Sequence, residues 1–353
     1  DEELAANRCD YGDDIFSHPF DDDHYRSRSA AFDRITTPLL SAGNWGGQGL
    51  HLRGNVEGFG RAASDDKWLE LHGLEHWTQF YTDGGVGLQK RFFGHFLKGE
   101  NNGWAEQPRV LLRVRHLDHF EDRGEEDWPV PRTEWTRLFL DAGRMTMDTQ
   151  PPSTEAAVSF EALGPGATFM AHPRDEEMEL TGPIAAKLHV GSSTTDTDIF
   201  LVVRLFGPDG EEVTFQGAID PHTPIAQGWL RASRRDLDPR LSRPWRPFHR
   251  HQAIEPLVPG EVYELHVEVW PTSIVIPPGY RLGLTVLGRD YEWGGDTSGL
   301  RLSQFKNELR GCGPFLHDDP RDRPPEIYGG TTLLHTGPDH PAHLLLPVIP
   351  PAG

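Results

Sequence analysis

Downstream of Pro108 the sequence abandons any helical period and breaks into short apolar or alternating runs. Val110–Arg115, Thr136–Asp141, Ala185–Val190, Asp198–Leu205, Glu261–Val269 and Leu282–Val286 each read as a β-strand. Gly207-Pro208-Asp209-Gly210 and Pro277-Pro278-Gly279 supply turn chemistry between them. Many short strands with few helical stretches predict an antiparallel sandwich, here a jelly roll, over residues 108–353. The 38 glycines, 30 prolines and 10% aromatic residues suit strands joined by turns rather than disorder.

Residues 1–107 have a different texture. An acidic, irregular start carries Asp13-Asp14 and Asp21-Asp22-Asp23, which read as solvated loop or helix starts. Residues 34–43 read as a buried strand entered through Pro38 and left through Gly43, followed by the glycine-rich loop Asn44-Trp45-Gly46-Gly47-Gln48-Gly49 and a helix over 50–61. Trp68, Leu69 and Leu71 form the next buried strand, and Gly87–Leu97 an amphipathic helix that Gly99 stops. Strand, loop, helix, strand, histidine loop and helix is the closing part of a parallel α/β sheet. Its beginning is missing. The fold class is therefore α/β plus all-β, with the boundary near 107/108 and the strand at 108–115 bridging the two parts.

The stretch with most chemistry in it is 67–80. Gly73 ends the strand, and His76 follows between Glu75 and Trp77, where a general base can be held just past a buried strand. His72 and His76 are four apart, but Gly73 and the strand-like run before it argue against a helical metal site. The competing reading is an ordinary loop histidine packed on Trp77.

Composition narrows the partners. With 34 basic against 54 acidic residues the formal net charge is −20, which disfavours nucleic acid and anionic membrane. No apolar run approaches the length that spans a bilayer, and the last, Leu344–Ile349, is broken by Pro347. Cys9 and Cys312 have no partners at metal spacing, so neither zinc nor a disulfide framework is indicated, and no cofactor is expected. A soluble, cytoplasmic protein is the expectation, and the start at Asp1 suggests a piece of a longer one.

Four motifs then occur in one order. Gly182-Pro183 with 191–198 (Gly-Ser-Ser-Thr-Thr-Asp-Thr-Asp), Gln227-Gly228-Trp229-Leu230-Arg231-Ala232-Ser233, Glu255-Pro256-Leu257-Val258-Pro259-Gly260 and Trp270-Pro271-Thr272-Ser273 resemble the C-terminal domain of the cocaine esterase and X-prolyl dipeptidyl peptidase family. Upstream, His18-Pro19 with Asp22-Asp23, Thr37-Pro38-Leu39-Leu40 with Gly43 and Trp45, and Gly73-Leu74-Glu75-His76 resemble the last third of that family's catalytic α/β-hydrolase domain. The resemblance runs over nearly the whole chain. It implies a serine hydrolase of esters or amides, with a Ser-His-Asp triad and a jelly roll that helps to form the substrate pocket. A serine hydroxyl is a weak nucleophile at neutral pH and needs an imidazole, itself oriented by a carboxylate. The resemblance makes His76 that general base, with Trp45 and Trp77 as candidates for the pocket wall.

Two departures matter. No Gly-X-Ser-X-Gly elbow occurs in the sequence, and Ser192 and Ser193 belong to the sandwich's own motif, so the nucleophile is expected on an N-terminal hydrolase segment outside this chain. The family's acid follows the Trp of the Gly-X-Trp loop, and here that position is Gly46. The acid must then come from elsewhere, such as the end of the preceding strand in the missing segment; Asp22, Asp23, Glu57 and Asp83 are reserves. Gly47, Gln48 and Gly49 are uncharged where relatives that bind an α-amino group place carboxylates, which favours a bulky acyl ester or amide substrate. Partners are thus a small-molecule ester or amide and the missing segment, with a homo-oligomer left open. The alternative is a non-catalytic binding or structural module with a degenerate hydrolase site. In the strand-rich part, Asp196 and Asp198 read as turn and strand capping, His249-Arg250-His251 as a solvated cluster, and Trp229 and Trp245 as packing of the sandwich or its interface.

Overall fold

The computed structural model describes residues 2–8, 11–298, 309–313 and 316–351; Cys9 lies outside them. Three short helices, α1 (Glu2–Ala6), α2 (Tyr11–Ser17) and α3 (Asp23–Arg26), precede an α/β unit. That unit runs β1 (Leu39–Asn44), α4 (Leu52–Arg61), β2 (Lys67–His72), α5 (Thr78–Tyr81), α6 (Asp83–Lys98), β3 (Val110–Arg115) and β4 (Phe120–Glu125). Then come β5 (Glu134–Asp141), β6 (Thr146–Asp148), β7 (Ala156–Glu161), β8 (Ala167–Ala171), β9 (Met178–Ser192), β10 (Asp198–Phe206), β11 (Glu212–Val213), β12 (Ala226–Arg231), β13 (Val262–Ile276), β14 (Arg281–Leu287), α7 (Pro325–Tyr328), β15 (Thr331–Thr336) and β16 (His343–Ile349).

The first sheet has the order β1-β2-β3-β4, with β1, β2 and β3 parallel and β4 antiparallel to β3. β1 begins five residues later than the expected strand, because Pro38 offers no N–H and the ladder opens with Leu39 N donating to Asp66 O at 2.8 Å. α6 begins earlier than expected, at Asp83, where the Thr82 hydroxyl accepts from Gly85 N and caps the first turn; Gly99 at φ 70° closes the helix. α4 turns Leu52 and Phe59 inward, against Leu69 and Leu71 of β2.

Among the described residues the second sheet has twelve strands, all pairs antiparallel except β6 with β8. Its spine is β9 with β13, fifteen residues each. Pro271 falls at the register shift between Val269 and Thr272, a break in the ladder where a missing N–H is tolerated. Among the described residues, a large buried cluster that includes Leu188, Val190, Leu201, Val203, Val267 and Leu284 forms the core of this unit. A second cluster joins Trp45, Leu69, Leu112 and Trp128 of the α/β side to Val275 and Ile349 of the strand-rich side, so the two units share apolar contacts.

Arg115 fastens that junction. It is fully buried at the end of β3, and its guanidinium donates to Ser273 O at 3.1 Å, Thr272 Oγ1 at 3.0 Å and Ile225 O at 3.3 Å while lying 4.1 Å above the Phe215 ring. Burial pushes its pKa down to about 9, which still leaves it protonated at neutral pH. Arg115→Ala removes three hydrogen bonds and a ring contact inside the junction, with Ile225 O keeping other donors in Gln48 and Thr272, and we expect a loss of about 3 kcal/mol in stability by guanidinium titration. A midpoint equal to that of the unsubstituted chain would mean that the junction does not depend on it.

Among the described residues no helix is long and apolar enough to cross a membrane.

Candidate active site

The two loops that leave β1 and β2 meet at one end of the first sheet. Parallel neighbours bring Asn44 opposite His72 at their C-terminal ends, and Trp45 N donates to His72 O at 2.7 Å. Asn44 then acts as a clamp. Its side-chain nitrogen donates to Gly73 O at 3.1 Å and Leu74 O at 2.6 Å, and its side-chain oxygen accepts from Gly46 N at 2.7 Å. Leu74 has φ 68°, a left-handed conformation uncommon for a side-chain-bearing residue, and the Asn44 bond to its carbonyl helps to hold it there. That turn delivers His76.

His76 is docked from a third side. Its N–H donates to Ala218 O at 2.8 Å, and Ala218 N donates to Gly46 O at 3.1 Å, so a segment of the strand-rich unit is hydrogen-bonded to both loops. This contact explains Gly46. A Cβ built there would lie 2.3 Å from Gly217 Cα and 2.7 Å from Ala218 N, far inside van der Waals contact with backbone that cannot swing away. The space that a carboxylate at 46 would occupy is filled by residues 217–218.

The imidazole of His76 is partly buried, its ring centroid 4.9 Å from that of His51 and 6.1 Å from the Trp77 indole, edge to face. Its Nδ1 is buried and has no hydrogen-bond partner among the described residues. Burial first, then the charges of His51 and His72, push its pKa below the usual histidine value. The ring is therefore neutral near pH 7 and able to accept a proton. His72 forms a different pair: its Nδ1 is 2.7 Å from a Glu70 carboxylate oxygen, and both side chains are buried. Glu70 and His72 share a strand face by the period of two, a signal present in the sequence that the sequence reading missed. The same is true of Asn44, whose partners are set by strand pairing.

Trp45, expected at the pocket wall, is instead 0% exposed in the core, packed 6.2 Å from Trp128, with its indole N–H donating to Arg113 O at 2.8 Å. Trp77 is exposed beside His76. The reserve acids are engaged elsewhere or open to solvent. Asp22 bonds His18 Nδ1 at 2.8 Å, which holds its carboxyl below the usual range, and it caps α3; Glu57 is paired with Arg246 at 2.7 Å; Asp23 and Asp83 are exposed. Ser192 and Ser193 are engaged within the strand-rich unit, Ser192 accepting from Thr194 N and Ser193 accepting from Thr331 N at the start of β15. Asp196 accepts from Ser233 N and Oγ, and Asp198 pairs with Arg231 and Arg323, an internal network rather than a cation cage.

A cavity of about 940 Å³ opens between the N-terminal helices and the strand-rich unit, walled by Phe16, Phe20, Trp229, His249 and Trp270 among others. It does not include His76 or either tryptophan of the two loops. His249 was read as a solvated residue, but burial pushes its pKa down to about 4 and its Nε2 has no partner among the described residues. Trp229 packs on Trp270 at 4.2 Å, and Trp245 stacks on Trp135 at 5.9 Å.

Residues 102–345 match the model of the X-Pro dipeptidyl-peptidase C-terminal non-catalytic domain. The chain is 25% identical to a cocaine esterase from Rhodococcus over 402 aligned positions, covering 96% of this chain and 61% of that protein. A solved CocE/NonD family hydrolase from Staphylococcus aureus superposes with a TM-score of 0.86 at 29% identity, over 97% of this chain and 59% of that one. An aminopeptidase from a Thaumarchaeota archaeon shares the fold at TM-score 0.70 and 16% identity, over 99% and 62%. The chain thus spans about three fifths of the length of these relatives.

Proposed function

The chain belongs to the CocE/NonD hydrolase family that carries the X-Pro dipeptidyl-peptidase C-terminal domain, and from that premise we propose that it supplies the general base of a serine esterase or amidase. The observation that supports this reading is the placement of His76 just beyond β2, held by three segments, with an unpartnered Nδ1 and a lowered pKa. The nucleophile comes from a Gly-X-Ser-X-Gly elbow on a hydrolase segment outside the 353 residues. Among the described residues β1 is paired only with β2, and its other edge is the place for that segment's strands. The carboxylate that orients Nδ1 comes from the same segment, because residues 217–218 fill the place beside Gly46. His76 takes the serine proton as the acyl-enzyme forms and returns it to the leaving group.

We read residues 1–107 as the closing part of the hydrolase domain and 108–353 as a jelly roll, with β3 and β4 crossing over to complete the hydrolase sheet. Gln48 donates to Ile225 O at 2.9 Å and the glycines beside it carry no charge, so this loop offers nothing to an α-ammonium group. That supports a bulky acyl ester or amide as substrate over an amino-acid ester. The absence of a carboxylate at 46 favours one other reading, a binding module without catalysis, which requires that no hydrolysis accompany the assembled protein.

The pH profile tests the first reading. A folded pKa below 6.5 keeps His76 neutral to lower pH, so the acid limb of kcat/KM should have its midpoint below that value. His51→Gln removes one of the neighbours that lower the His76 pKa, so the limb should move up in pH. An unshifted limb in that variant would mean that His76 is not the group that titrates.

A further inference from the structure

The turn between β3 and β4, with the start of β4, carries a second cluster, His116, His119 and Glu121. One ligand atom from each lies within 4.8 Å of the other two. The Nε2 atoms of His116 and His119 are 3.7 and 3.8 Å from the two Glu121 oxygens, too long for hydrogen bonds. His116 Nε2 is buried and without a hydrogen-bond partner. His119 Nδ1 is 2.7 Å from Asp118 Oδ1, which fixes the tautomer that leaves its Nε2 lone pair facing the cluster. Backbone geometry brings the two histidines together, with His116 N donating to His119 O at 2.9 Å.

We propose that His116, His119 and Glu121 bind a divalent transition metal of the zinc class. Two imidazoles and a carboxylate, with a carboxylate behind one imidazole, suit zinc, and the fourth position is open to water. Ligand atoms around a tetrahedral zinc are about 3.3 Å apart, so the carboxylate contacts close by about half an ångström. The rings stack at 4.2 Å and 15°, and the half-exposed His119 is the one that can tilt until both lone pairs converge. The Cys9 and Cys312 spacing gave no hint of this; the His-X-X-His-X-Glu pattern does. Phe120, between two ligands, packs over Gly73 at the root of the His76 loop, so a bound ion would stiffen that root.

Zinc chloride titrated into the 353-residue chain by calorimetry at pH 7.5 should show one equivalent that His119→Ala and Glu121→Gln abolish, with unchanged circular dichroism and melting of the metal-free proteins. Asp118→Asn should weaken the same equivalent about 10- to 100-fold, the effect of losing a carboxylate behind a ligating imidazole. Absence of a bound equivalent, or an equivalent that survives His119→Ala with its affinity intact, would overturn the site.

Discussion

His76→Ala is expected to lower kcat/KM of the assembled hydrolase by at least about 10⁴-fold, the scale seen when the imidazole of a serine triad is removed. The serine then has no acceptor for its proton, and the leaving group has no donor. Folding should survive the change. The ring is only partly buried, its Nδ1 has no hydrogen-bond partner among the described residues, and the change loses ring contacts with His51 and Trp77, a cost of about 1 kcal/mol. The docking bond to Ala218 O is made by the backbone N–H and remains. Hydrolysis of an activated acyl ester read beside a thermal melt separates the two effects. Turnover retained in a folded variant would remove His76 from the chemistry.

Gly46→Asp is expected to fail as a repair of the triad and to destabilise the chain by about 3 kcal/mol or more. Restoring the family's residue looks conservative in sequence, yet the first atom added would lie 2.3 Å from Gly217 Cα, and the two backbones are already joined by the Ala218 bond to Gly46 O. Relief requires that residues 217–218 withdraw, which also removes the acceptor of His76 N. Chemical denaturation should show the loss, and ester hydrolysis by the assembled protein should fall rather than rise. A variant as stable as the parent and more active would show that the position can still hold the acid.

The α/β portion was legible because its signals are local. A buried run ended by Gly73 locates the His76 loop, and helix periods with a capping threonine and a closing glycine locate α6. Less could be read where a residue's role depends on a distant partner. Trp45 belongs to a glycine-rich loop and invites a pocket role, but Trp128 and Arg113 O take it into the core. Gly46 reads as a lost acid, and its physical reason lies in residues 217–218, which no local pattern connects to it. The strand-rich part reads as strands, but only five of its runs stand out, the sixth being β3 of the first sheet. β16 is not among those runs; its Pro347, which rules the stretch out as a membrane span, is tolerated in the ladder at the shift between Leu345 and Val348 against β9. β6 is three residues long, too short to carry a period.

His76 is proposed to serve a serine that lies outside these 353 residues. The most direct measurement is fluorophosphonate labelling of the chain alone and of the protein assembled with its hydrolase segment, with the adduct mapped by peptide mass spectrometry. No adduct is expected on the chain alone and, in the assembled protein, one adduct is expected on the serine of a Gly-X-Ser-X-Gly elbow, lost in His76→Ala. An adduct on a serine within the 353 residues, or labelling of the elbow that does not respond to His76→Ala, would contradict it.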